Sequence, residues 1–95
     1  MKRTMVRYEC KPEAVAENEE LIRGVFAELA AERPAGLRYA CFLLEDGVTF
    51  VHIATQSGES GPTDFPAFKA FQARHASRVV ARPVVSQLRE IGGYG

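Results

Sequence analysis

The segment LRYACFLLEDGVTFVHIAT, residues 37 to 55, constrains the fold more than any other part of the chain. Two β-rich runs flank Asp46-Gly47, a pair suited to the positive φ angles of a type I′ turn, so the segment reads as a β-hairpin. Pairing outward from that turn sets Leu43 opposite Phe50, Cys41 opposite His52 and Tyr39 opposite Ala54 on one face. The other face carries Ala40, Phe42, Leu44, Val51 and Ile53. Both faces are therefore apolar, whereas two helices can cover only one side of a small sheet. In a chain of 95 residues the economical cover for the second side is another copy of the same sheet, which predicts a homodimer.

The flanking segments supply the rest of the sheet and its helices. TMVRYEC, residues 4 to 10, alternates, with Val6, Tyr8 and Cys10 on one face and Arg7 and Glu9 on the other, the pattern of a half-buried strand. Lys11-Pro12 ends it, because proline cannot donate to a ladder. From Glu13 to Arg33, the residues Val15, Asn18, Ile22, Val25, Phe26 and Leu29 fall on one stripe of an amphipathic helix, closed by Pro34 and Gly36. The loop TQSGESGPTD, residues 55 to 64, is long enough for a mobile flap and sets Thr63 and Asp64 to cap the next helix. FPAFKAFQARHASRVV, residues 65 to 80, reads as that second helix, with Phe65, Phe68, Gln72, His75, Ala76 and Val79 on its inward arc. Arg82-Pro83 breaks it and VVSQLREI reads as the last strand. The order β-α-β-β-α-β predicts one α+β domain over residues 1–95, with a ferredoxin-like antiparallel four-stranded sheet and both helices on one face.

Composition narrows the function. Lys plus Arg and Asp plus Glu each number 12, so the formal net charge is zero and no field favours phosphate backbones; nucleic acid is not expected as a partner. Nor does VTFVHIA carry the aromatic and basic run of a sheet that stacks RNA bases. No stretch approaches the roughly 20 apolar residues of a membrane span, and no targeting signal is visible at MKRTMVRYECKPEAV. Two cysteines, Cys10 and Cys41, in apolar segments fit a reducing, cytoplasmic setting.

The element order, the two-sided hairpin and the pattern F-x-x-F-x-x-x-H of Phe68, Phe71 and His75 resemble the dimeric α/β-barrel superfamily, within it the antibiotic biosynthesis monooxygenase-like domains. The resemblance spans roughly residues 4 to 92. It implies two four-stranded sheets packed face to face into a barrel, with a small pocket between each sheet and its helices. It also implies oxidation of an aromatic or polyketide-like molecule by molecular oxygen with neither metal nor flavin. A haem-degrading branch is similar in carrying a histidine on the second helix, matched here by His75. That branch also has a tryptophan and a first-strand asparagine, and neither stands in this chain.

Among the candidate residues His75 is foremost. Near the centre of the inward arc, it is either a hydrogen-bonded core histidine or, facing a pocket, a neutral base able to take a proton from an acidic aromatic substrate. Tyr8, Asn18 and His52 could position a polar substrate, Asn18 because a buried amide must be satisfied by something; Phe68 and Phe71 would wall the pocket. His52 shares its face with Tyr39, Cys41, Leu43 and Phe50. One Cys and one His fall short of the four ligands of structural zinc, and no CxxC or HxxxH completes them, so no metal site is expected and packing is the simpler role for His52. Two readings stay open: a cofactor-independent oxygenase with His75 as base, and a non-enzymatic homodimer that binds a small ligand or serves as a structural module.

Overall fold

The computed structural model describes residues 1–58 and 61–95. Strand β1 (Lys2–Glu9) leads through a 3-10 turn at Pro12–Ala14 into helix α1 (Val15–Glu32). The hairpin β2 (Leu37–Leu43) and β3 (Thr49–Gln56) comes next, then helices α2 (Pro66–Gln72) and α3 (His75–Arg78), and strand β4 (Val84–Gln87). The sheet has the order β2-β3-β1-β4, antiparallel at every junction. This is the ferredoxin-like α+β arrangement that the sequence predicts. No helix among the described residues is long and apolar enough to cross a membrane.

The hairpin register is the expected one: Leu43 pairs with Phe50, Cys41 with His52 and Tyr39 with Ala54. The turn differs from the expected type I′, because Gly47 (φ 77°) is alone there in the left-handed region and Asp46 is not. The Gly47 N–H closes the turn onto the Leu44 carbonyl at 3.0 Å. The Asp46 carboxylate accepts from the Val48 and Thr49 N–H groups, both at 2.9 Å, and from the Thr49 hydroxyl at 2.6 Å. A side-chain acceptor thus holds the loop, and these donors keep the Asp46 carboxyl below its ordinary range.

Helix α1 turns its stripe inward, burying Asn18, Ile22 and Val25. It ends where Arg33 takes the left-handed conformation and its N–H bonds to the Leu29 carbonyl. Gly36 (φ 76°) then passes so close to Gly58 that a Cβ there would meet its nitrogen at 2.8 Å. Tyr8, Cys10, Phe50, Phe71 and Val79 complete a core between the sheet and the helices.

Three further sequence expectations change. The helix expected over residues 65–80 is broken at Ala73 (ψ 127°) and Arg74 (φ 63°) into α2 and α3. Two contacts account for the break. Val79 bridges Cys10, with Val80 N–H bonded to the Glu9 carbonyl, so the chain must be extended before Val80. The Arg78 side chain meanwhile replaces the helical partners of the Phe71 and Ala73 carbonyls. Arg74→Gly is accordingly expected to leave stability unchanged or raise it by up to about 1 kcal/mol, whereas glycine inside a continuous helix would cost about 1 kcal/mol; urea midpoints decide between them.

Secondly, Thr63 and Asp64 do not cap α2. Asp64 Oδ2 instead accepts from Gly61 N–H at 3.0 Å within a 3-10 turn at Pro62–Asp64, and the α2 N-terminus is met by Glu28, whose Oε1 accepts from Ala67 N–H at 2.9 Å. Thirdly, only Val84–Gln87 of the expected last strand pairs. The Leu88 N–H still reaches the Arg3 carbonyl at 2.9 Å, one residue from where β1 begins. The expected flap, residues 55–64, includes Glu59 and Ser60, which lie outside the described residues.

Candidate active site

Strand alternation places Tyr8 on β1, Tyr39 on β2 and His52 on β3 on the helix-facing side of the sheet. The tyrosines flank the histidine ring. Tyr8 Oη lies 2.7 Å from His52 Nε2, and Tyr39 Oη lies 2.6 Å from His52 Nδ1. Asn18, wholly buried on α1, donates from Nδ2 to Tyr8 Oη at 2.9 Å and accepts from Arg78 Nε at 3.0 Å. Arg78 also donates to the Ala73 carbonyl at 3.2 Å and to the Phe71 carbonyl at 2.5 Å. One chain of hydrogen bonds therefore links α3, α1, β1, β3 and β2.

Arg78 is 2% exposed, and among the described residues no carboxylate pairs with it. Its charge is met by two carbonyls at the C-terminal end of α2, the Asn18 amide oxygen and the face of Phe71, whose centroid lies 5.5 Å from the guanidinium carbon. Sequence reasoning passes Arg78 over because a charged residue is not assigned inward. A signal exists nonetheless: it stands three residues after His75 and seven after Phe71, on the same helical arc.

His75 stands apart from this chain. Its ring meets that of Tyr8 edge-on at 4.5 Å and that of Phe71 at 5.1 Å. Its Nε2 is buried and, among the described residues, has no hydrogen-bond partner. Burial, and then the nearby Arg78 cation, lower its affinity for a proton. Burial likewise raises both tyrosine hydroxyls above their ordinary range and pushes the Cys41 thiol up to about 11. Cys41 Sγ lies 3.5 Å from His52 Nε2 and, as a protonated thiol, is no nucleophile.

A cavity of about 540 Å³ opens beside these groups. Tyr8, Tyr39, His52, Phe68, Phe71 and His75 line it, together with Gly61–Asp64, Lys2 and Gln56 among others. Its volume is that of a small-molecule site. Of the residues singled out in the sequence, only Asn18 is set behind the wall, reaching the cavity through Tyr8. Among the described residues no group of three or more His, Cys, Asp or Glu side chains converges on a point that could hold a metal ion.

No protein-family model matches the sequence, and no curated protein matches it significantly. Solved structures do match in fold. A crystal structure described as an antibiotic biosynthesis monooxygenase superimposes with a TM-score of 0.76 over 97% of this chain and 100% of that one, at 18% identity. The chain has the antibiotic biosynthesis monooxygenase-like fold. Rv0793 from Mycobacterium tuberculosis matches with a TM-score of 0.78, covering 99% of this chain and 98% of that one at 16% identity. A variant of SnoaB, a cofactor-independent oxygenase from Streptomyces nogalater, matches with a TM-score of 0.68 over 97% and 95% at 18% identity.

Within this monooxygenase-like fold, the environment of His52 has a measurable consequence. Burial, and then the neighbouring His75, push its pKa down to about 4 from the ordinary 6.5. Between those values the unfolded chain binds a proton that the folded chain refuses. Stability is therefore at its full value above pH 6.5 and is lost as pH falls through about 4, by about 3 kcal/mol in all. The displacement of His75 acts in the same direction. Urea midpoints at about pH 7 and about pH 4 are expected to differ far less in His52→Gln than in the wild type.

Proposed function

We propose that the cavity oxygenates a small aromatic or polyketide-like molecule with molecular oxygen, His75 acting as the base. The observation that carries this reading is the buried Nε2 of His75, without a partner among the described residues, beside a cavity large enough for a fused-ring substrate. A buried ring nitrogen without a partner costs free energy that a substrate proton donor would recover. Kept neutral at neutral pH, the imidazole can take a proton from a carbon or hydroxyl acidified by an adjacent aromatic ketone.

The remaining steps start from the carbanion. It gives one electron to oxygen, and recombination of the radical pair forms a C–O bond and a peroxide anion. Proton return from His75 yields the hydroperoxide, which expels water to leave a ketone. A CH2 group and O2 thus become C=O and H2O, with no outside reductant. Phe68 and Phe71 would keep bulk water from the reacting ring, which strengthens every electrostatic contact inside. The naming of SnoaB as a cofactor-independent oxygenase supports the reading. Free Cys10 and Cys41 support a reducing, cytoplasmic setting for it. Oxygen uptake by the metal-free protein over a panel of anthrone-like and hydroquinone-like molecules tests it. Saturable binding without uptake would favour a ligand-binding protein instead.

We also propose that two copies pair through the sheet face turned away from the helices. Phe42 is 54% exposed and Val84 61%, and Val51 and Ile53 are only partly covered. An apolar face of this kind fits another copy of itself. Phe42→Asp is expected to shift the sedimenting species from two chains to one while preserving helical circular dichroism.

A further inference from the structure

We propose that the buried chain from Arg78 to His52 holds the Tyr39 hydroxyl as a hydrogen-bond donor aimed into the cavity, for the oxyanion that the substrate acquires when its proton leaves. The inference rests on the reading of the cavity as a site where a proton is removed, and it adds the group that receives the resulting charge.

The direction of each bond is set by the one before it. A guanidinium can only donate, so Arg78 Nε fixes Asn18 with its carbonyl oxygen toward the arginine, 3.0 Å away. The amide nitrogen must then face Tyr8, and it donates to the phenolic oxygen at 2.9 Å. Having accepted there, Tyr8 has its own proton to place, and His52 Nε2 at 2.7 Å is the acceptor within reach. A neutral imidazole that accepts at Nε2 carries its proton on Nδ1. That proton is donated to Tyr39 Oη at 2.6 Å. Tyr39 therefore accepts from His52, and its own proton must point elsewhere. Among the described residues His52 is the hydroxyl's hydrogen-bond partner, and the Tyr39 side chain lines the cavity.

The ring that carries this hydroxyl is fixed. Phe26 stacks on one side at 5.2 Å and 16°, and Phe68 meets it edge-on at 6.3 Å. Burial keeps Tyr39 protonated, so it donates without giving up its proton. A donor oriented before the charge develops stabilises that charge more than mobile water does. In this scheme Tyr39 touches the substrate, while His52, Tyr8, Asn18 and Arg78 are positioning residues.

Two readouts test the inference without turnover. In long-range 1H–15N correlation spectra of the 15N-labelled wild type, His52 is expected as the Nδ1–H tautomer; the Nε2–H tautomer would overturn the direction of the chain. The second uses 4-nitrophenolate, which offers an oxyanion but no carbon acid to oxygenate. Tyr39→Phe, checked by its spectrum for an intact fold, is expected to bind it about tenfold more weakly than wild type or worse, while binding of nitrobenzene stays unchanged. Equal phenolate binding by the two proteins, equal weakening for nitrobenzene, or no phenolate binding by the wild type would overturn the donor role. If both results hold and no oxygen is consumed with any substrate, the oxygenase reading fails and the oxyanion site stands.

Discussion

His75→Gln is expected to fold like the wild type and to lose about 10²-fold to 10⁴-fold in the rate of oxygen consumption, the range that a positioned general base supplies. Glutamine is chosen because it keeps a polar side chain of similar reach and removes the basic nitrogen. The fold should survive: among the described residues His75 Nε2 makes no hydrogen bond, and its ring meets the rings of Tyr8 and Phe71. Loss should appear in kcat more than in KM, since proton removal belongs to the transition state and the cavity wall is otherwise intact. Above pH 6.5 the wild-type rate should depend little on pH, because burial and Arg78 hold the imidazole neutral there; it should fall on acidification as the base is protonated. Oxygen-electrode rates across pH for both proteins check each part.

Arg78→Met is expected to cost about 3–5 kcal/mol of folding stability, a large share of the about 5–15 kcal/mol that a domain possesses. Methionine keeps the length of the stem and removes all donors. The Asn18 amide oxygen and the Phe71 and Ala73 carbonyls then lose their partners together, two of them at the break between α2 and α3. Three orphaned acceptors are costlier than one lost bond suggests, because each keeps its desolvation penalty. Arg78→Lys should recover only part of the loss. Its ammonium is a point charge on a flexible stem and cannot span three acceptors as a planar fork does. Urea unfolding of the three proteins at about pH 7, where no histidine effect intrudes, gives the comparison.

The hairpin register could be read from the chain because Asp46-Gly47 marks the turn and alternation does the rest. Even the wrong turn type left the pairing of Cys41 with His52 intact. Asn18 stood out as a polar residue in an apolar stripe, and it proves to be a wholly buried junction. What escaped was what depends on contact across long separations. Tyr8 meets His52 at 44 residues' distance in sequence and Arg78 meets Asn18 at 60, and periodicity says nothing about such meetings. The same limit hid the helix break, since FPAFKAFQARHASRVV carries no Gly or internal Pro beyond its first turn to announce it. The bridge from Val79 to Cys10 is a tertiary contact, and Arg78 bonds back to carbonyls five and seven residues before it, a competition with the helix that apolar periodicity does not announce. His52 could be named as a positioning candidate from the hairpin face it occupies, but its bond to Tyr8, which stands on a different strand, could not.

The most direct measurement is wild-type turnover of anthrone and related anthrones under 18O2 in metal-free buffer, with product mass read beside oxygen uptake. Saturable uptake above the protein-free blank is expected, with one labelled oxygen in the product ketone and the second in water. Rates equal to the blank across the panel, or a product oxygen drawn from solvent water, would contradict an oxygenase that works through His75 and molecular oxygen alone.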